Sequence, residues 1–118
     1  MELDPRTLEE LRELELDGAD GLVARIIAGF VHSSREKLEH LRETWRCGDL
    51  AACGKIVHTL KGSSLQIGAL RVGETCRAIE ACLVRGAAIA DLLPTLERQL
   101  ARAHELLESA LAEQRMLI

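Results

Sequence analysis

Apolar residues recur along this chain at three- and four-residue intervals, the period of helices that bury one face. A first short helix is predicted from Asp4, an N-cap with Pro5 in the first helical position, through Leu8, Leu11 and Leu14. The run Asp17-Gly18-Ala19-Asp20-Gly21 breaks it. A long second helix follows, with Leu22, Ile26, Phe30, Ser34, Leu38, Leu41 and Trp45 on one face and Arg35, Glu36, Lys37, Glu39 and Arg42 mostly on the other. Gly48-Asp49 ends that helix and caps a third, running to Gln66. After a turn at Gly68, a fourth spans about Leu70 to Arg85, and Gly86, Ala87 and Ala88 connect it to the last. The fifth begins near Asp91, tolerates Pro94 in its first turn, and continues through Leu93, Leu96, Leu100, Ala103, Leu107 and Leu111. Short loops between long helices make neighbours antiparallel. The expected fold is therefore all-α, an antiparallel up-down four-helix bundle of the second to fifth helices with an additional short N-terminal helix capping one end.

Composition agrees with a small helical core. The 118 residues, 1–118, suit one domain, and the 47% hydrophobic content is almost wholly aliphatic, with 2% aromatics and no tyrosine. Net charge is −4, and basic residues alternate with acidic ones, which leaves no basic stripe for nucleic acid. No stretch reaches the ~18 apolar residues of a membrane span, and no charged-then-apolar leader is visible. The expected setting is cytoplasmic, without membrane insertion, either free or as the cytoplasmic part of a larger membrane-bound sensor. Cys47, Cys53, Cys76 and Cys82 lack the paired spacing of a zinc site and read as buried or semi-buried thiols, so no metal is expected. His32, His40 and His104 read as surface histidines.

The chemistry concentrates in the third helix, in His58-Thr59-Leu60-Lys61-Gly62-Ser63-Ser64. Cys53, Ile56, Val57, Leu60 and Ile67 form its apolar stripe, and His58 falls at the edge, pointing outward. Lys61 and Gly62, three and four residues on, share its face. A lysine there offsets the negative charge of a phosphoryl group held on the ring. Glycine in a helix interior costs about 1 kcal/mol relative to alanine, so Gly54 and Gly62, one turn to either side of His58, point to close approach by a second protein.

The stretch Val57-His58-Thr59-Leu60-Lys61-Gly62-Ser63-Ser64, followed by Ile67-Gly68-Ala69, resembles the signature of histidine-containing phosphotransfer domains, and the likeness extends to Phe30, Leu38, Leu41, Cys76 and Glu80. The resemblance implies a bundle whose exposed histidine takes a phosphoryl group from the aspartate of one receiver domain and passes it to another. On that basis His58 is the acceptor, Lys61 the charge-neutralising neighbour and Gly62 the clearance for the partner. The partners implied are the receiver domains of a response regulator and of a hybrid sensor kinase. The Mg2+ such transfer requires is expected in the receiver, with no cofactor intrinsic to this chain. Ser63 and Ser64 match the family's small positions, and serve equally well as close-packing residues or as donors to a carbonyl one turn earlier.

Glu80 is reached by register. His58 lies ten residues before Gly68 and Glu80 twelve after it, which brings them to similar height on facing helices. A carboxylate there can hold one ring nitrogen and leave the other nucleophilic, though an edge glutamate beside Cys76, Ile79 and Leu83 occupies the same position. Gly54, Lys55, Gly62 and Leu65 form the expected partner-contacting set. Leu65, two turns beyond His58, is placed on the exposed face, with a helix end tucked under the Gly68 turn as the competing explanation. Leu8 or Leu11 of the first helix could extend that patch or simply cover the bundle's end.

No Gly-rich nucleotide loop or dense acidic cluster is present, so the chain reads as a phosphoryl carrier rather than an enzyme. Two alternatives remain open at this level: the phospho-acceptor domain of a chemotaxis-type kinase, whose motif is nearly the same, and a helical binding module in which the histidine is incidental. The dimerisation domain of ordinary histidine kinases fits poorly, because Thr59 rather than an acidic residue follows His58 and the next proline is Pro94.

Overall fold

Capping and glycine turns divide the chain into five helices in the computed structural model, which describes residues 3–16 and 21–116. Asp4 accepts a hydrogen bond from the Arg6 amide at 3.0 Å and opens α1, Pro5–Leu16. The predicted breaker at 17–20 lies outside the described residues. Then follow α2 (Leu22–Arg46), α3 (Leu50–Gln66), α4 (Leu70–Arg85) and α5 (Leu92–Met116). Asp49 caps α3 by accepting from the Ala52 amide at 3.1 Å.

The three turns of the bundle close by one device. Gly48, Gly68 and Gly86 each bond back to a carbonyl three residues earlier, and the residue after each bonds five back, as in Asp49 to Thr44, Ala69 to Ser64 and Ala87 to Cys82. This pairing needs a left-handed residue at the glycine, which is why the boundaries were readable from the chain. The helices pack in sequence order, α2 on α3, α3 on α4 and α4 on α5, and α5 closes on α2. The result is the expected all-helical bundle, 50 × 23 × 19 Å, with α1 laid over one end.

Gly68 does more than turn the chain. Its carbonyl accepts from the Asp4 amide at 2.8 Å, and a β-carbon at Gly68 would stand 2.9 Å from Thr7 Cβ, so α1 rests directly on this turn. Gly48 has the same left-handed backbone with open space around it. Gly68→Ala should therefore lose about 2 kcal/mol or more in urea denaturation, clearly exceeding the loss in Gly48→Ala, because backbone strain is common to both and the α1 contact is not.

The core is aliphatic. Leu41, Leu60, Ile79, Ile89, Leu96 and Leu107 are fully buried, each contributing about 1.5–3 kcal/mol of apolar burial. Three expectations are corrected. At the start of α2 the buried face runs through Val23 and Ile27, leaving Leu22 half-buried and Ile26 exposed; both registers have helical spacing, and the packing of α2 between α1 and α5 decides between them. Cys47 is exposed at the α2 terminus, where the chain turns away from the core, whereas Cys53 and Cys76 are buried as expected. His104 is not a surface residue. It is buried between α2 and α5, four residues after Leu100 and three before Leu107, on the inward stripe of α5.

Candidate functional site

Val57 and Leu60 face the core of α3 and so turn His58 outward, with 73% of its side chain exposed. Across the groove, Ile79 and Cys76 are buried, which brings Glu80 to the α4 edge facing α3. The Glu80 carboxylate divides its oxygens: Oε2 lies 3.3 Å from His58 Nδ1, and Oε1 lies 2.6 Å from Lys61 Nζ. The register argument for Glu80 thus places it within reach of the ring, and the structure adds that His58 and Lys61 share it.

Electrostatics follow from that sharing. The Lys61 hydrogen bond holds the Glu80 carboxyl below its usual range, against partial burial, and the His58 hydrogen bond adds to the same effect. An ionised carboxylate only accepts hydrogen bonds, so the proton of the neutral ring sits on Nδ1, and the Nε2 lone pair faces solvent. At 3.3 Å the contact is long for a hydrogen bond; it orients the ring without clamping it. Beneath the site, burial pushes the Cys76 thiol up to about 12, with Glu80 adding to the rise and Lys61 opposing it. The thiol therefore stays protonated, and the imidazole is the nucleophile the site presents.

Approach to the ring is open. A β-carbon at Gly54 or at Gly62 would meet nothing within 4 Å. Lys55 is exposed beside them, and its carbonyl accepts from the Thr59 hydroxyl at 3.1 Å. Ser63 donates to the Leu60 carbonyl one turn earlier at 3.2 Å, whereas Ser64 is fully buried with its hydroxyl unpartnered and acts as a close-packing residue. Leu65 departs from expectation. It is half-buried, and a β-carbon on Gly73 of α4 would stand 2.4 Å from its Cδ2, so Leu65 fills the notch that Gly73 leaves and joins the two helices near their turn.

One feature escaped the sequence. A groove of about 510 Å³ opens beyond Ser63, between α1, α2 and the end of α3, walled by Leu11, Leu14, Ile26, Phe30 and Ile67. Leu14 is 40% and Ile26 36% exposed in it. The sequence places Ile26 on the apolar face of the second helix and Leu11 at such a patch or over the bundle's end; Leu11 is buried at the groove's wall and Ile26 is exposed in it. Among the described residues, no three His, Cys, Asp or Glu side chains are grouped to hold a metal ion, and no helix is long and apolar enough to cross a membrane.

Residues 25–115, most of the chain, match the Hpt domain family, and the chain belongs to that family. It is a histidine phosphotransfer module of the phosphorelay type, a phosphocarrier. Its fold is similar to that of histidine-containing phosphotransfer protein B (HptB) from Pseudomonas aeruginosa PAO1, with 27% sequence identity, a TM-score of 0.81, and coverage of 98% of this chain and 96% of that one. A comparison with curated proteins gives no match.

Proposed function

We propose that His58 carries the phosphoryl group, on Nε2, between the aspartates of two receiver domains, one of a hybrid sensor kinase and one of a response regulator. The observation that carries this reading is the shared Glu80 carboxylate, which fixes the proton on Nδ1 and frees Nε2 on an unobstructed surface. In the uptake step Nε2 attacks the phosphorus of an aspartyl phosphate; the N–P bond forms, the P–O bond to the aspartate breaks, and the receiver regains its carboxylate. The Nδ1 proton stays in the Glu80 contact, which stabilises the positive charge the ring acquires. Lys61, already at the site, stands ready to offset the phosphoryl charge. Transfer onward reverses these bonds on the second receiver.

Magnesium is assigned to the receiver. The donor set beside His58 has one carboxylate, and Lys61 already holds it, which suits a cation-neutralised phosphate better than a metal. We also assign the apolar groove beyond Ser63 to the docking face, together with Gly54, Lys55 and Gly62, because exposed Leu14 and Ile26 line it and Ser63, at its α3 edge, follows Gly62 directly in the chain. Mixing the protein with a labelled phospho-receiver should move acid-labile, base-stable phosphate onto it, and NMR of the imidazole should place the phosphorus on Nε2. Phosphate on Nδ1 would refute the orienting role of Glu80, and absence of label from every receiver tried would refute the relay reading.

A further inference from the structure

A second histidine site lies on the far side of α2. His104 of α5 is 6% exposed, and its Nε2 stands 2.8 Å from the Ser34 hydroxyl of α2, which is 1% exposed. The same hydroxyl lies 3.2 Å from the Val31 carbonyl one turn earlier. The Phe30 and His104 rings pack in a T, with centroids 5.7 Å apart and planes at 79°. Phe30 is also a wall of the apolar groove beyond Ser63. One short stretch of α2 thus touches a buried histidine on one side and the docking groove on the other.

We propose that His104 and Ser34 form a pH-sensitive latch that holds α2 against α5 and, through Phe30, keeps the groove in its docking shape. The coupling to docking rests on the receiver reading above; the latch itself does not. The Ser34 hydroxyl donates to the Val31 carbonyl, so it accepts from Nε2–H of the neutral ring, and Nδ1 is the nitrogen left to take a proton. Protonation at Nδ1 adds a second donor and places a net charge in the aliphatic seam, where burial opposes it. Of the charged groups around it, one carboxylate, Glu108, favours that charge, against burial and Arg35. Arg35 of α2 and Glu97, Glu105 and Glu108 of α5 line the groove at this seam, but Glu97 is paired with Arg42 and Glu105 with Arg102. Burial lowers the His104 pKa below the ordinary histidine value, Arg35 lowers it further, and Glu108 pulls the other way.

The opened or unfolded form, with an ordinary histidine, takes up its proton first as pH falls below about 6.5. Stability from the latch is therefore complete above that value, declines as pH falls toward the lowered folded value, and declines no further once the folded form is protonated as well.

The test compares wild type with His104→Gln, a neutral hydrogen-bonding replacement, at about pH 7.5 and about pH 5.5. Urea denaturation should show the wild-type folding constant falling several-fold more than the variant's, and receiver affinity should fall several-fold more as well. Parallel pH profiles would overturn the latch. Should the variant fail to fold, NMR titration of the wild-type His104 imidazole decides: titration below the ordinary histidine value, with lower amide protection factors over residues 30–38 in acid, supports the latch, and titration at the ordinary value with unchanged protection overturns it. A latch present with receiver affinity independent of pH would overturn the coupling. Latch signals with no receiver binding at either pH would overturn the receiver reading and leave the latch standing.

Discussion

His58→Gln is expected to reduce phosphate uptake to background while leaving the bundle folded. Glutamine is close in size and keeps polar atoms near Glu80, but its amide nitrogen lone pair is delocalised and cannot attack phosphorus. The side chain it replaces is 73% exposed, and the Lys61–Glu80 pair remains, so denaturation should shift by no more than about 0.5 kcal/mol. Competing sites do not rescue the variant. His104 is buried, and Cys76 is both buried and held protonated. His32 and His40 are exposed, yet Glu36 holds the His32 ring at 2.8 Å and neither residue has the Lys61 and glycine setting of His58. Incubation with a labelled phospho-receiver measures the outcome directly. Label on the variant equal to wild type would remove His58 from the mechanism.

Gly62→Leu is expected to slow transfer by about a hundredfold while raising stability. The two effects have separate causes. Leucine is a better helix former than glycine by close to 1 kcal/mol, and a β-carbon at this position meets nothing within 4 Å, so the fold accepts it. The added side chain occupies the face that Gly62 shares with His58, one turn along α3. A receiver aspartate must bring its phosphorus into line with Nε2, and a displacement of about 1 Å from that geometry costs about a hundredfold in rate. Single-turnover transfer from a phospho-receiver, read beside urea denaturation, separates the two effects. Unchanged transfer with raised stability would show that the partner approaches from elsewhere.

Much of the fold was legible in the chain because its signals are local. The Asp4-Pro5 start, the Asp49 cap and the glycines at 48, 68 and 86 act through hydrogen bonds to residues within five positions, so a linear reading located them. Two misplacements share one cause. Ile26 and Ile27 are adjacent, and the stripes 22-26-30 and 23-27-30 both have helical spacing; the packing of α2 between α1 and α5 decides which is covered. His104 sits in step with Leu100 and Leu107, which was the available signal, but its polar identity argued for the surface until Ser34 supplied a buried partner from a helix 70 residues away.

The site divides in the same way. Spacing along one helix placed Lys61 and Gly62 beside His58 and turned the ring away from the core, because positions three and four residues apart share a face whatever the helix packs against. Register across the Gly68 turn brought Glu80 to the right height. What only the tertiary structure decided is that one Glu80 carboxylate serves both His58 and Lys61, that Leu65 turns in over Gly73, and that α1 and α2 open a groove against the end of α3. Those contacts depend on how far each helix is rotated about its axis and how closely it approaches its neighbour, which are set by the packing of the whole core and leave no trace in the period of any one helix.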